Sequence, residues 1–185
     1  MADIDSWVEA QEFQITLDAN GRIIDYLDNN IKRPNTPEER IRQKMVQILH
    51  CEFAYPMSHI GIEKQINIGR EIKRADIVIY NSAAACASND QGNIYLIAEC
   101  KAPNILNSDG QLYSYMSASS AQGGFWTNGN KIEFYRKDVT TGAFISWIGL
   151  PKYEQAWDSI GKYKKSDLII PVDLKLAFRR CHNAI

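Results

Sequence analysis

The chain has 185 residues, 45% of them hydrophobic and 23% charged, enough for one domain with a core of useful size. Its 21 basic and 22 acidic residues leave a formal net charge of −1, which excludes a global attraction to nucleic acid or to acidic membranes; nucleic-acid binding would need a local patch or a partner. No apolar run reaches the roughly 18 residues that cross a bilayer, and Met1-Ala2-Asp3-Ile4-Asp5 lacks the regions of a signal peptide.

The four cysteines, Cys51, Cys86, Cys100 and Cys181, show no CxxC spacing. They read as reduced thiols of a cytoplasmic protein, not as a disulfide frame or a zinc site. In chain order, residues 1–35 read as an N-terminal extension built on a β-hairpin. The stretches 13–17 and 22–26 flank Asp18-Ala19-Asn20-Gly21, and Asn-Gly between two apolar runs predicts a turn. A core then spans residues 36–150. Thr36 is placed to cap its first helix, Pro37 to start it and Glu39 to close a capping box. Ile41, Met45, Ile48 and Leu49 form a core-facing stripe. Alternation at Ile60, Ile62, Ile66 and Ile68 predicts a strand. Gly69-Arg70 turns the chain into a second strand, Arg74-Ala75-Asp76-Ile77-Val78-Ile79-Tyr80. Residues 81–92 are small and polar and read as a loop. A third strand starts at Ile94, carries Glu99-Cys100-Lys101 and ends at Pro103.

Ser108 or Asp109 can cap a second helix through Leu112, Tyr115 and Met116. Residues 123–126 and 132–135 bracket Thr127-Asn128-Gly129-Asn130 as strand, turn and strand, with Phe125, Trp126, Phe134 and Tyr135 in the core. Residues 144–148 add an edge strand. Residues 151–185 read as a C-terminal helical segment, with a helix from Val172 onward. It stops without a cap or a polar tail, so a continuation into further domains of a longer protein is expected. Lys162, Lys164 and Lys165 read as a solvated face, and His50, His59 and His182 have no ligand spacing. The order of elements predicts an α/β fold, a central mixed β-sheet flanked by helices.

The third strand carries charge where a strand buries side chains. Alternate side chains share a face, so Glu99 and Lys101 lie with Tyr95 and Ile97, while Ile94, Leu96, Ala98 and Cys100 form an apolar face. Such charges are costly to desolvate unless paired or metal-bound. They make either an i, i+2 ion pair at a sheet edge or a site. Asp76, which can also cap a turn before its own strand, lies on the neighbouring strand. Its carboxylate, that of Glu99 and the backbone carbonyl of Cys100 are hard oxygens suited to Mg²⁺ or Mn²⁺. Lys101 beside them can orient or help deprotonate a water and stabilise a phosphoryl oxygen. Metal, water and cation together suit phosphodiester hydrolysis. Glu39 either caps its helix or adds a further carboxylate. Gln111 and Tyr115 are ordinary helix residues in type, but at i, i+4 they share a face, from which they can contact the lysine, the water or a substrate phosphate.

These motifs carry a resemblance. Asp76 followed by Glu99-Cys100-Lys101 resembles the D…ExK signature of the PD-(D/E)xK nuclease superfamily, with Ala75 where proline is usual, and Gln111-Leu112-Tyr113-Ser114-Tyr115 matches the QxxxY motif of its RecB-type branch. Pro37-Glu38-Glu39-Arg40-Ile41-Arg42-Gln43, Arg74-Ala75-Asp76, Glu99-Cys100-Lys101-Ala102-Pro103 and Thr127-Asn128-Gly129 resemble the N-terminal nuclease domain of type I restriction enzyme R subunits, over residues 36–136. The resemblance implies a restriction-endonuclease-like fold and a Mg²⁺-dependent DNA endonuclease. Asp76 and Glu99 would ligate the metal, Lys101 would be the catalytic lysine, Glu39 an accessory acid, and Gln111 and Tyr115 a supporting motif. It also implies DNA as substrate and helicase or motor, methyltransferase and specificity components as partners; the chain itself has no Walker A sequence. Two competing readings are a catalytically silent nuclease-like docking module and a structural α/β domain with a surface ion pair.

Overall fold

The computed structural model describes residues 13–106 and 109–160. A six-stranded mixed sheet has the order β3-β4-β5-β6-β7-β8, made of β3 (Ile60–Ile68), β4 (Glu71–Tyr80), β5 (Ile94–Cys100), β6 (Gly123–Thr127), β7 (Ile132–Lys137) and β8 (Phe144–Trp147). Neighbours are antiparallel except β5 and β6. The parallel pair is joined by helix α3 (Asp109–Ser117), as a parallel connection requires. Helix α1 (Pro37–Cys51) places Met45, Val46, Ile48 and Leu49 against Ile77, Ile79, Leu96, Ala98 and Phe125 on one face. Leu112, Tyr115 and Met116 of α3 pack with Val78, Ile97 and Trp126 on the other. The α/β sheet flanked by helices is therefore as predicted. Trp147 and Trp157 join the first cluster.

Three local expectations change. The Asp18–Gly21 turn forms, with the Asp18 N–H donating to the Arg22 carbonyl at 2.8 Å. However, β1 (Ile23–Ile24) pairs with β2 (Lys32–Arg33), and only one bridge, Leu17 to Ile23, runs back along the hairpin. Residues 81–92 are not all loop. Ser82 caps a short helix α2 (Ala83–Ser88) by accepting from the Ala85 N–H at 3.1 Å. Three consecutive alanines, the strongest helix formers, outweigh the turn-forming neighbours. Finally, Tyr95 is an extra residue in β5. Ile79 pairs with Leu96 but Tyr80 with Ile94, and a bulge reverses alternation on one side of it. Ile94 thus joins the cluster of Ile97, while Tyr95 packs against that of Leu96. The helix predicted from Val172, the Ser108 cap, Lys162, Lys164, Lys165 and His182 lie outside the described residues.

A second irregularity bears on the site. Ile62 faces Ile77 and Lys64 faces Ala75, but Glu63 between them has φ 52°, a costly conformation for a residue with a Cβ. On one side of it Ile60, Ile62, Ile77 and Ile79 belong to the first cluster; beyond it Ile66 and Ala75 belong to the second. The ribbon rolls over at Glu63 and Asp76, so Asp76 sits where the two faces exchange.

Gly124 sets the spacing of β5, β6 and α3. A Cβ there would meet the Ile97 carbonyl oxygen, Leu112 Cδ1 at 3.0 Å and Met116 Sδ at 3.1 Å. Gly124→Ala is expected to destabilise the fold by about 2–3 kcal/mol, as overpacking against backbone does. A urea midpoint equal to that of the wild type would contradict this.

Candidate active site

Antiparallel register brings the first two carboxylates together. Ile77 pairs with Ala98, and one residue further along Asp76 falls opposite Glu99. Asp76 Oδ2 accepts from the Cys100 N–H at 2.8 Å. Both carboxylates are buried, with residue exposures of 8% and 1%. Lys101 follows the end of β5, and its N–H donates to the Thr127 carbonyl at 2.8 Å. Its ammonium donates to Glu99 Oε2 at 2.9 Å and to Gln111 Oε1 at 3.1 Å. Gln111 Nε2 donates to the Tyr115 hydroxyl at 2.7 Å, and that hydroxyl donates to the Arg74 carbonyl at 2.8 Å. Gln111 and Tyr115 thus join the lysine to β4 across the sheet. Asp76, Glu99, Lys101 and Gln111 converge, and Tyr115 stands behind Gln111.

The Thr127-Asn128-Gly129 turn holds the chain beyond Lys101. Asn128 Nδ2 donates to the carbonyls of Ile105 at 2.7 Å and Pro103 at 3.3 Å. Its Oδ1 accepts from the Asn130 and Lys131 N–H groups, and Gly129 supplies a φ of 86°. An apolar strand end is thereby tied to a polar loop at the level of the site.

Glu39 forms only half of a capping box. Thr36 Oγ1 accepts from the Glu39 N–H at 3.2 Å, but the Thr36 N–H donates to the Pro34 carbonyl. The Glu39 carboxylate turns inward instead, 3% exposed, toward Arg42, Gln43 and Arg33. Arg42 connects it to the site: Nη1 donates to Glu39 and Nη2 to Asp76 Oδ1 at 2.6 Å. Arg33 contacts Asp25 and, at 2.9 Å, Glu63 Oε2. Arg42, Gln43, Asp25, Arg33 and Glu63 are absent from the sequence-based site. The available signal was the spacing of Arg42 and Gln43, three and four residues beyond Glu39 on one helix face.

The electrostatics leave the site short of positive charge. Asp25, Glu38, Glu39, Glu63, Asp76 and Glu99 share the cations Arg33, Arg42 and Lys101. Burial, then the neighbouring Asp76 charge, push the Glu99 carboxyl up to about 8 despite Lys101. Burial likewise raises Glu39, against its hydrogen bond from Gln43 and the charges of Arg42 and Arg33. Burial alone would lower the Lys101 ammonium, but Glu99 more than offsets it and Lys101 lies above the ordinary lysine value. Glu99 Oε1 is buried and accepts no hydrogen bond from a protein donor; a proton shared with Asp76 would satisfy it. An orphaned carboxylate oxygen costs free energy in the absence of a donor or cation. Its position facing Asp76 fits a hard divalent cation. Among the described residues no group of three His, Cys, Asp or Glu side chains forms a ready-made metal cage, so such a cation would keep much of its shell for water or substrate.

A family model described as type I restriction enzyme R protein N terminus matches residues 37–151. No curated protein and no solved structure matches the chain.

Proposed function

We propose, from the premise that the chain belongs to the family of type I restriction enzyme R protein N-termini, that it is a Mg²⁺-dependent endodeoxyribonuclease domain that hydrolyses phosphodiesters within a restriction complex. One observation carries the reading. Two buried carboxylates on adjacent strands face each other, one oxygen of Glu99 accepts no hydrogen bond from a protein donor, and a lysine held by Gln111 reaches the same point.

Asp76 and Glu99 would hold Mg²⁺ or Mn²⁺, with the Cys100 backbone carbonyl beside them and Glu39 partly offsetting the charge of Arg42 behind Asp76. When bound, the metal supplies a water of lowered pKa and charge neutralisation at a phosphoryl oxygen. Lys101 keeps its proton near neutral pH, as its raised pKa requires. Its part is therefore to orient the attacking water and stabilise charge developing on the phosphate. Gln111 fixes the ammonium, and Tyr115 fixes Gln111 through a proton committed to the Arg74 carbonyl. A silent docking module has no need of this supported lysine. The net charge of −1 fits DNA delivered by partner components such as a motor, a methyltransferase and a specificity subunit, in a cytoplasmic setting. No helix of the described residues is long and apolar enough to cross a membrane.

Isothermal calorimetry with Mn²⁺ tests the site. Binding by the wild type should be weak in the absence of DNA, because few protein oxygens are offered, and should fall at least tenfold in Asp76→Ala, a loss of about 1.4 kcal/mol or more. Equal affinities would remove Asp76 from the site.

A further inference from the structure

We propose that Arg42 is a resident counter-ion of the metal site: its guanidinium stands in for divalent charge at Asp76 and holds divalent affinity low when DNA is absent. The proposal rests on the metal-dependent reading above and concerns a residue outside the D…ExK and QxxxY motifs.

Arg42 lies on α1, three residues beyond Glu39 and four beyond Glu38. It is 6% exposed, an unusual depth for a guanidinium. Its two terminal nitrogens are divided between elements. Nη1 donates to Glu39, and Nη2 donates to Asp76 Oδ1 at 2.6 Å. Glu38 at 3.4 Å and Glu63 at 3.5 Å complete its acidic surroundings. Nε is buried without a partner. Its fork hydrogen-bonds three carboxylates, Glu38, Glu39 and Asp76, on two elements, so its charge is placed among the acids of the site.

The placement has an electrostatic consequence. With Oδ2 held by the Cys100 N–H, Arg42 takes the other oxygen of Asp76. A divalent ion between Asp76 and Glu99 must either displace Nη2 or accept a fixed positive charge a few ångströms away. Both weaken binding, and a low local dielectric strengthens the effect. The same contact gives the metal-free protein a reason to stay folded. Without Arg42, Asp76 would be a buried carboxylate without its cation, and Glu39 would keep only Gln43 and Arg33. A substrate phosphate changes the balance because it adds negative charge, so metal affinity is coupled to the arrival of DNA.

Mn²⁺ calorimetry without DNA, on wild type, Arg42→Gln and Arg42→Lys, tests this, with thermal melts alongside. Arg42→Gln removes the charge and should bind Mn²⁺ at least tenfold more tightly than wild type. Arg42→Lys retains the charge and should stay within about threefold of wild type. The melting temperature of Arg42→Gln should be lower without metal, and Mn²⁺ should raise it further than it raises that of wild type. If Arg42→Gln is unfolded without metal, Mn²⁺ must restore its melting transition at concentrations below those that shift wild type. Unchanged or weaker Mn²⁺ binding by Arg42→Gln, with wild type still binding, would overturn the role of Arg42 and leave the metal site standing. Absence of Mn²⁺ binding in all three proteins would overturn the metal-dependent reading itself.

Discussion

Replacing Lys101 with alanine is expected to lower DNA cleavage by the assembled complex ~10²–10³-fold, the cost typical of losing one positioned electrostatic group. The ammonium is held at two points, Glu99 Oε2 and Gln111 Oε1, so its position is set before substrate arrives. A preorganised charge of this kind stabilises the transition state without reorganisation. Lys101→Ala leaves Asp76, Glu99 and Arg42 in place, so Mn²⁺ binding should survive. It also removes a neighbouring cation that lowers the Glu99 carboxyl. Nicking of supercoiled DNA by the assembled complex separates the two effects, and full cutting by the variant would reject the role of Lys101. The chain alone should cut poorly. DNA affinity comes mainly from cations that release counterions from phosphates, and 21 basic residues against 22 acidic ones offer little of it. Robust cutting by the isolated chain would reject the dependence on partners.

The parts of this site written in local spacing were legible in the sequence. Glu99 and Lys101 share a face because a strand has period 2, and Gln111 and Tyr115 share one because a helix has period 3.6. The cap at Thr36 follows from Thr-Pro-Glu-Glu, and the turn at Gly129 from Asn-Gly. Asp76 lay within reach because an antiparallel neighbour offers few registers that bury Ile77 and Ile79 together.

Other parts depend on contacts between distant positions. Both a capping box and an inward ion pair ask for Glu at position 39, so sequence alone left the two open. Arg42, paired with Asp76 across 34 residues, decides the direction of the Glu39 carboxylate. The hydrophobic stripe of α1 marked Arg42 and Gln43 only as polar positions, yet Gln43 is 1% exposed and bonded to Glu39 and Asp25. The bulge at Tyr95 was hidden for a different reason. An uninterrupted apolar run has the same composition with or without one extra residue, and pairing with Tyr80 fixes where the alternation breaks.

Glu99 should make the metal-free fold less stable as pH rises through neutrality. Burial and Asp76 raise its carboxyl to about 8 in the folded protein, from an ordinary value of 4.5. Between those values the native state holds a proton that the unfolded state has released. Stability therefore falls with rising pH across this window. The contribution is fully present below about 4.5 and lost above about 8. Its full size is on the order of 5 kcal/mol, at about 1.4 kcal/mol for each tenfold change in proton affinity. Glu39 shifts in the same direction, so the contribution of Glu99 is isolated by difference. Urea melts of wild type and Glu99→Gln at pH 6 and pH 8.5 should show a steeper loss in the wild type. Mn²⁺ reverses the sign of the problem, because a divalent cation neutralises the ionised pair that a proton neutralises at lower pH. It should stabilise the wild type more at pH 8.5 than at pH 6, and Glu99→Gln little at either. Parallel pH dependence in the two proteins without metal would mean that Glu99 is not the group titrating. Equal Mn²⁺ stabilisation of both would place the cation away from Glu99.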